Sequence, residues 1–262
     1  MKLVCFNVSI HEDNGEKVIE FLRKGDYDII LLQEVLYGHE DSCFNLSKVG
    51  NMLDKEFKGE YNTAFAPIWI AKAQTINGEV VFDFGGRTEQ GTMILTKNKL
   101  LRADNEFYYN EYKYEYDWTH FKERDWARSL QNSLVEIESN EVQVLNIHGY
   151  YSYDKIDKEQ TIKQSEYILT RLEYDKPIIL AGDFNVQPWT KSIKLINEKM
   201  TNLIDVYGIK ATRPSFKNNL DRGDLVCDYI FVNDKIKVNS FKTIDTKLSD
   251  HFALELDFDI VK

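Results

Sequence analysis

Six places in this 262-residue chain put a carboxylate, a carboxamide or an imidazole beside a short apolar run. Asn7 follows residues 3–6, Glu34 follows 27–32, His148 follows 142–147, and Asp183 with Asn185 follows 177–181. Asp228 precedes 229–232, and the pair Asp250 and His251 precedes 252–258. Any one of these reads as a solvated turn residue or a satisfied structural group. Together they form a set of hard oxygen donors with two imidazoles. Such donors suit magnesium or manganese, which keep several waters and accept one or two carboxylates plus phosphate oxygens. The cysteines, Cys5, Cys43 and Cys227, share no close spacing, so neither a disulfide framework nor a structural zinc site is expected. Cys5 and Cys227 sit in apolar runs and read as buried thiols.

The elements needed to position these residues are legible around them. The apolar runs read as strands, and several are too apolar to alternate, as expected for strands covered on both faces. Val18, Ile19, Phe21 and Leu22 have helical spacing, with Asn14 as a cap and Gly25 as a stop. Leu46, Val49, Leu53 and Phe57 form a second helical stripe, and Ile162, Ile168, Leu169 and Leu172 a third. Thr190 caps a fourth, running to about Lys199. Helices alternating with buried strands, plus a central run of strands, predict two packed sheets with helices outside. In such folds, sites gather where strands end and loops begin.

Taken in order, Asn7, Gln33-Glu34, Asn146-Ile147-His148, Gly182-Asp183-Phe184-Asn185, Asp228-Tyr229 and Ser249-Asp250-His251 resemble the endonuclease/exonuclease/phosphatase superfamily. The match in order and spacing runs from residue 7 to 251, and Gly-Asp-Phe-Asn followed far downstream by Ser-Asp-His is a specific combination. The resemblance implies a four-layer α-β-β-α sandwich of two packed, mainly antiparallel mixed sheets, with one catalytic domain over residues 1–262. It also implies a metal-dependent phosphoesterase using Mg2+, with Mn2+ as the substitute. Position by position, Glu34 is the main metal ligand, with Asn7 and Asp250 close to the metal or its waters. His251, oriented by Asp228, meets the phosphate or activates water; Asp183 positions or deprotonates that water. Asn185 orients Asp183 and donates to phosphoryl oxygens. His148 contacts the phosphate or helps the leaving group. The choice between Asp183 and His251 as base stays open.

Two further positions are weaker. Arg128 lies where relatives place a basic phosphate contact, against which stands a surface ion pair. Gly91-Thr92-Met93 resembles the glycine-led strand of the family, for which plain architecture is the better reading.

Substrate class is less legible. The net charge of −10 gives no general attraction to a nucleic-acid backbone, though it does not describe the local field. A DNA or RNA phosphodiesterase is the leading expectation. Sphingomyelin, a phosphoinositide or a small phosphate ester are the alternatives, as is a non-catalytic binding protein of the same fold. The aromatic stretch from Phe107 to Trp126, with Tyr112, Tyr114 and Tyr116 alternating, could stack on bases or pack as a hairpin on the domain. The chain as a whole holds no run of roughly 20 apolar residues and no amphipathic membrane helix of obvious length. No stable membrane association is therefore expected, and no leader segment is read at the N-terminus, which makes the cytoplasm the expected location.

Overall fold

The computed structural model describes residues 1–9, 15–39, 49–112, 126–215 and 223–261. Two parallel strand pairs organise it. In one, β1 (Lys2–Asn7) lies beside β2 (Ile29–Gly38), with α1 (Gly15–Gly25) making the crossover. In the other, β7 (Asn140–His148) lies beside β8 (Ile178–Asp183), with α3 (Glu159–Arg171) between them. Parallel neighbours require such a crossover, and a helix shields the sheet face it passes over.

Antiparallel strands extend each pair into a six-stranded sheet. Around β1–β2 are β3 (Asn62–Ile76), β4 (Glu79–Thr96), β11 (Ile236–Ile244) and β12 (Ala253–Ile260), in the order β11-β12-β1-β2-β4-β3. Around β7–β8 are β5 (Lys99–Tyr109), β6 (Arg128–Ile137), β9 (Thr201–Asn202) and β10 (Asp228–Val232), in the order β5-β6-β7-β8-β10-β9. The remaining helices are α2 (Val49–Glu56), α4 (Lys191–Asn197) and α5 (Leu203–Val206). The expected sandwich of mixed, mainly antiparallel sheets is what forms.

Period-two alternation decides which residues face inward. Leu3 and Cys5 join the large core that also takes in residues of β7 and β8, while Val4 and Phe6 pack with Val18, Leu22, Leu53 and Phe57 of α1 and α2. Asn7 continues the row of Leu3 and Cys5 and so faces the second sheet. Each fully buried aliphatic contributes about 1.5–3 kcal/mol. Between the sheets the core also holds a polar seam. Gln33 Nε2 donates to Asn146 Oδ1 at 2.7 Å, and Asn146 Nδ2 reaches Leu32 O, Met93 O and Gln131 Oε1 at 3.1, 3.2 and 3.1 Å. Every one of these groups would be costly to bury unpaired, so the seam sets how the sheets sit on each other just below the strand ends.

Helix signals held where they can be compared. Thr190 caps α4 by accepting from Ile193 N at 3.5 Å, and Gly25 ends α1. Asn14, Cys43 and Leu46, and the aromatic stretch from Tyr114 to Phe121, lie outside the described residues. Strands β3 and β5 and most of β4 were not anticipated: the apolar run of β3 is broken by Pro67, and β5 and the first half of β4 are largely polar. Gly91 is architectural: a Cβ there would stand 2.1 Å from Ala66 O, so a side chain would separate β4 from β3. Among the described residues no helix is long and apolar enough to cross a membrane.

Candidate active site

Both parallel pairs end at the same place. In register, Asn7 stands opposite Gln33 and His148 opposite Asp183, while Asp228 at the start of β10 stands opposite Asp183 from the other side. The polar residues noted at strand ends are thus brought together by the topology, at the C-terminal mouth of both crossovers.

Backbone irregularities aim the side chains. Pairing between β2 and β4 slips between Leu32 and Val35, and within this bulge Glu34 adopts φ 58. Asn185, just past β8, has φ 60. Non-glycine residues in the left-handed region carry a steric cost that the surrounding structure must offset, and such positions concentrate at functional sites. Gly182, at φ +143, lets β8 lie against β7: a Cβ there would meet Ile147 O at 2.0 Å. Only glycine combines that conformation with that approach.

The carboxylates and imidazoles then interlock. Asn7 Nδ2 donates to Glu34 Oε1 and to Asp183 Oδ2, at 3.2 Å in each case. Asp183 Oδ1 accepts from Asn185 N at 2.8 Å. The Nε2 atoms of His148 and His251 both stand 3.9 Å from Asp183 Oδ2, and His148 Nε2 is 3.6 Å from Glu34 Oε1. On its other edge, His251 Nδ1 bonds Asp228 at 2.9 Å, and Asp228 is held in turn by Thr212 Oγ1 at 2.6 Å. The two 3.9 Å separations exceed a direct hydrogen bond.

The two histidines are electrostatically opposite. Burial pushes His148 down to about 3, and the Arg128 charge works in the same direction against the attraction of Glu34. His251 is also buried, but the Asp228 carboxylate outweighs that penalty and holds it well above the ordinary histidine range. Burial, reinforced by Asp228, raises the Asp183 carboxyl.

Asp250 sits at the edge of this cluster. Its Oδ1 is 3.9 Å from His251 Nε2, and its Oδ2 accepts from Arg213 Nε at 2.7 Å and from the adjoining Nη2. Arg128 is not a surface ion pair as the alternative had it. It is 2% exposed at the start of β6, with its guanidinium 5.8 Å from the Trp126 ring. Sequence reasoning missed Thr212, Arg213 and Lys155. Lys155 donates to Asn185 Oδ1 from the loop after β7. None of the three ends an apolar run, so only the tertiary contacts reveal them.

A divalent cation fits the donor set. Glu34, Asp183 and Asp250 offer hard oxygens, and the Asn7 NH2 group stands between two of these carboxylates as a cation would, its Oδ1 accepting from Ser9 N at 3.0 Å. The buried trio Asp183, Cys227 and His251 also groups closely. With no cation beside it, burial pushes the Cys227 thiol up to about 11.

Of the aromatic stretch, Tyr108 and Trp126 pack inward, while Tyr112 is exposed. Tyr108 donates to Gln164 Oε1 at 2.9 Å and lies 5.6 Å from the Tyr167 ring, and Trp126 lies 6.5 Å from Trp69. For these rings the packed-hairpin reading holds.

No curated protein matches the chain in sequence. Solved structures are similar in fold. An endonuclease/exonuclease/phosphatase from Beutenbergia cavernae superposes with a TM-score of 0.73 at 15% identity, over 99% of this chain and 71% of that one. A family protein from Leptotrichia buccalis gives 0.70 at 18% identity, over 99% and 100%. D. rerio TDP2 in complex with single-strand DNA product gives 0.68 at 14%, over 99% and 98%. The family profile described as Endonuclease/Exonuclease/phosphatase matches residues 4–251, nearly the span over which the clustered residues are distributed. This chain belongs to the endonuclease/exonuclease/phosphatase family.

Proposed function

We propose that the protein is a divalent-metal-dependent phosphodiesterase acting on DNA or RNA. The carrying observation is the convergence on Asp183 Oδ2. Asn7 bonds it at 3.2 Å, and the two histidines face it at 3.9 Å, one from β7 and one from the loop before β12. That is the arrangement hydrolysis of a phosphate ester needs: a carboxylate beside the attacking water, with donors around the phosphoryl oxygens.

In this reading Glu34, with Asn7 and Asp250 beside it, holds Mg2+ or Mn2+. The cation supplies charge neutralisation at the phosphoryl oxygens. Asp183 takes the proton of the attacking water through Oδ2, its other oxygen being occupied by Asn185 N. His251, locked by Asp228 through Nδ1, presents Nε2 to the phosphoryl group and carries positive charge to it. His148 stays neutral and donates one hydrogen bond to a phosphoryl or leaving oxygen. Asn185 holds Asp183 with its backbone and offers its side-chain amide to the phosphate. Arg128, itself buried, biases that histidine toward neutrality through its charge.

The nucleic-acid substrate is supported by the fold shared with TDP2, whose D. rerio form is seen with single-strand DNA product. The experiment is cleavage of a labelled single-stranded oligonucleotide and of supercoiled plasmid with magnesium or manganese, comparing wild type with Glu34→Ala. Metal-dependent cleavage that the substitution abolishes supports the reading. Hydrolysis of bis(p-nitrophenyl) phosphate with no cleavage of either DNA or an RNA oligonucleotide would keep the phosphoesterase and remove the nucleic acid.

A further inference from the structure

One buried charge has no task in the reaction described above. Lys155, in the loop between β7 and α3, is 2% exposed, yet it carries an ammonium group. Its hydrogen-bond partner is the neutral carboxamide of Asn185, not a carboxylate, and its Nζ stands 4.2 Å from the centroid of the Tyr151 ring. Asp183 attracts it from further away, while burial pulls its pKa down. Charge is expensive to bury without a paired partner. The backbone bears a cost here too, since Lys155 adopts φ 54.

The loop is tied to the segment that carries Asn185. Lys155 O accepts from Gln187 N at 2.9 Å, and Lys155 N donates to Ser152 O at 3.1 Å. Two residues on, Asp157 accepts from Lys191 N and Ser192 N at the start of α4, at 2.7 and 3.0 Å. The ammonium is therefore held in place by its own backbone and not merely folded over a neighbour.

What it does to Asn185 follows from donor count. An ammonium has three donors and no acceptor, whereas a carboxamide has one acceptor end and one donor end. Only Oδ1 can face Lys155, so the amide cannot turn over. Its Nδ2 end is then fixed on the far side, where one hydrogen reaches Gly149 O at a long 3.3 Å and the second stays available. With a neutral side chain at residue 155, only that long bond to Gly149 O would hold the orientation.

We propose that Lys155 is a positioning residue: its buried ammonium locks the Asn185 carboxamide with the NH2 edge toward the phosphoryl group, beside Asp183. This rests on the phosphoesterase reading. Lys155 acts through Asn185 and does not itself touch the phosphate.

The test measures binding of inorganic phosphate in the presence of magnesium by calorimetry, for wild type, Lys155→Met, Asn185→Ala and the double variant. Methionine keeps the length and removes the charge. Each single substitution should weaken phosphate binding by about tenfold, the size of one strong hydrogen bond. The double variant should be no weaker than Asn185→Ala, because both remove the same interaction. The Lys155→Met protein should melt at or above the wild-type midpoint, since a buried charge has been replaced by an apolar group. Wild-type phosphate affinity in Lys155→Met overturns the proposal, as does a double variant weakened by the product of the single effects. Phosphodiester turnover is read in parallel. Wild type that hydrolyses no phosphodiester but shows the non-additive binding pattern refutes the functional reading and leaves the Lys155 assignment standing. Wild type that binds no phosphate while it hydrolyses phosphodiesters overturns the Lys155 proposal alone, and wild type that does neither overturns both.

Discussion

Asn7 and Asp183 lie 176 residues apart in the chain and share a hydrogen bond of 3.2 Å across the interface of the two sheets. The same amide group bonds Glu34 at 3.2 Å, so one small side chain joins the ends of β1, β2 and β8. The contact exists because each parallel pair terminates at the same level, and the buried amide seam around Asn146 holds the two levels in line.

Glu34 is the residue on which metal dependence should turn. Glu34→Ala is expected to lower phosphodiester turnover by at least about 100-fold, as loss of a ligand and of its charge compensation predicts. Chelation of wild type should produce the same loss, reversed by added magnesium. Unchanged metal dependence in the variant, measured as turnover against magnesium concentration, would remove Glu34 from the metal site.

Asp228 orients His251 through Nδ1, so Asp228→Asn should leave the fold intact while reducing kcat by roughly 10²–10⁴-fold. Thr212→Val deletes the bond to Asp228 Oδ2 and the two that Thr212 Oγ1 accepts from Cys227 N and Asp228 N at 3.1 Å each, yet it keeps the carboxylate and should cost less, about tenfold. Equal kcat for Thr212→Val and wild type would show that Thr212 serves the loop and not the pair.

Gly182→Ala places a methyl 2.0 Å from Ile147 O at a backbone φ of +143. The expected cost exceeds about 3 kcal/mol, because strands β7 and β8 cannot separate without disturbing both the core and the site. Urea unfolding gives the value directly; a loss under about 1 kcal/mol would mean the sheet yields at this point.

Asp157 caps α4 from the Lys155 loop, accepting from Ser192 Oγ at 2.6 Å as well as from two backbone amides. Partial burial alone would raise its pKa, but the Ser192 hydroxyl and those amides lower it. A carboxyl whose folded pKa lies below its unfolded value stabilises the fold above the unfolded value of about 3.9. That contribution is lost as pH falls through the folded pKa. Asp157→Ala should therefore cost about 1 kcal/mol at pH 7, and the deficit should shrink in acid below the unfolded value. Denaturant midpoints for both proteins at neutral and acid pH check it, and a deficit that does not change with pH would contradict the capping role.

Much of the site was legible in the sequence because its residues end apolar runs. A polar residue at the edge of a β-rich segment stands out locally, and Asn7, Glu34, His148, Asp183, Asp228 and His251 all do. The order of those runs, with helical stripes between them, indicated two covered sheets, and the resemblance of Gly182-Asp183-Phe184-Asn185 and Ser249-Asp250-His251 to family motifs indicated the family. Register, the Glu34 bulge and the left-handed backbone at Asn185 were not legible, since they arise from pairing between strands far apart in the chain. Thr212, Arg213 and Lys155 were missed for the same reason. They sit in loops of ordinary composition, and their importance comes from what they touch. Which groups could do the chemistry was readable along the chain, because residue type and strand-end position are local properties. Which of them meet through a hydrogen bond or a charge came from folding, because those are relations between chain segments brought within a few ångströms by packing.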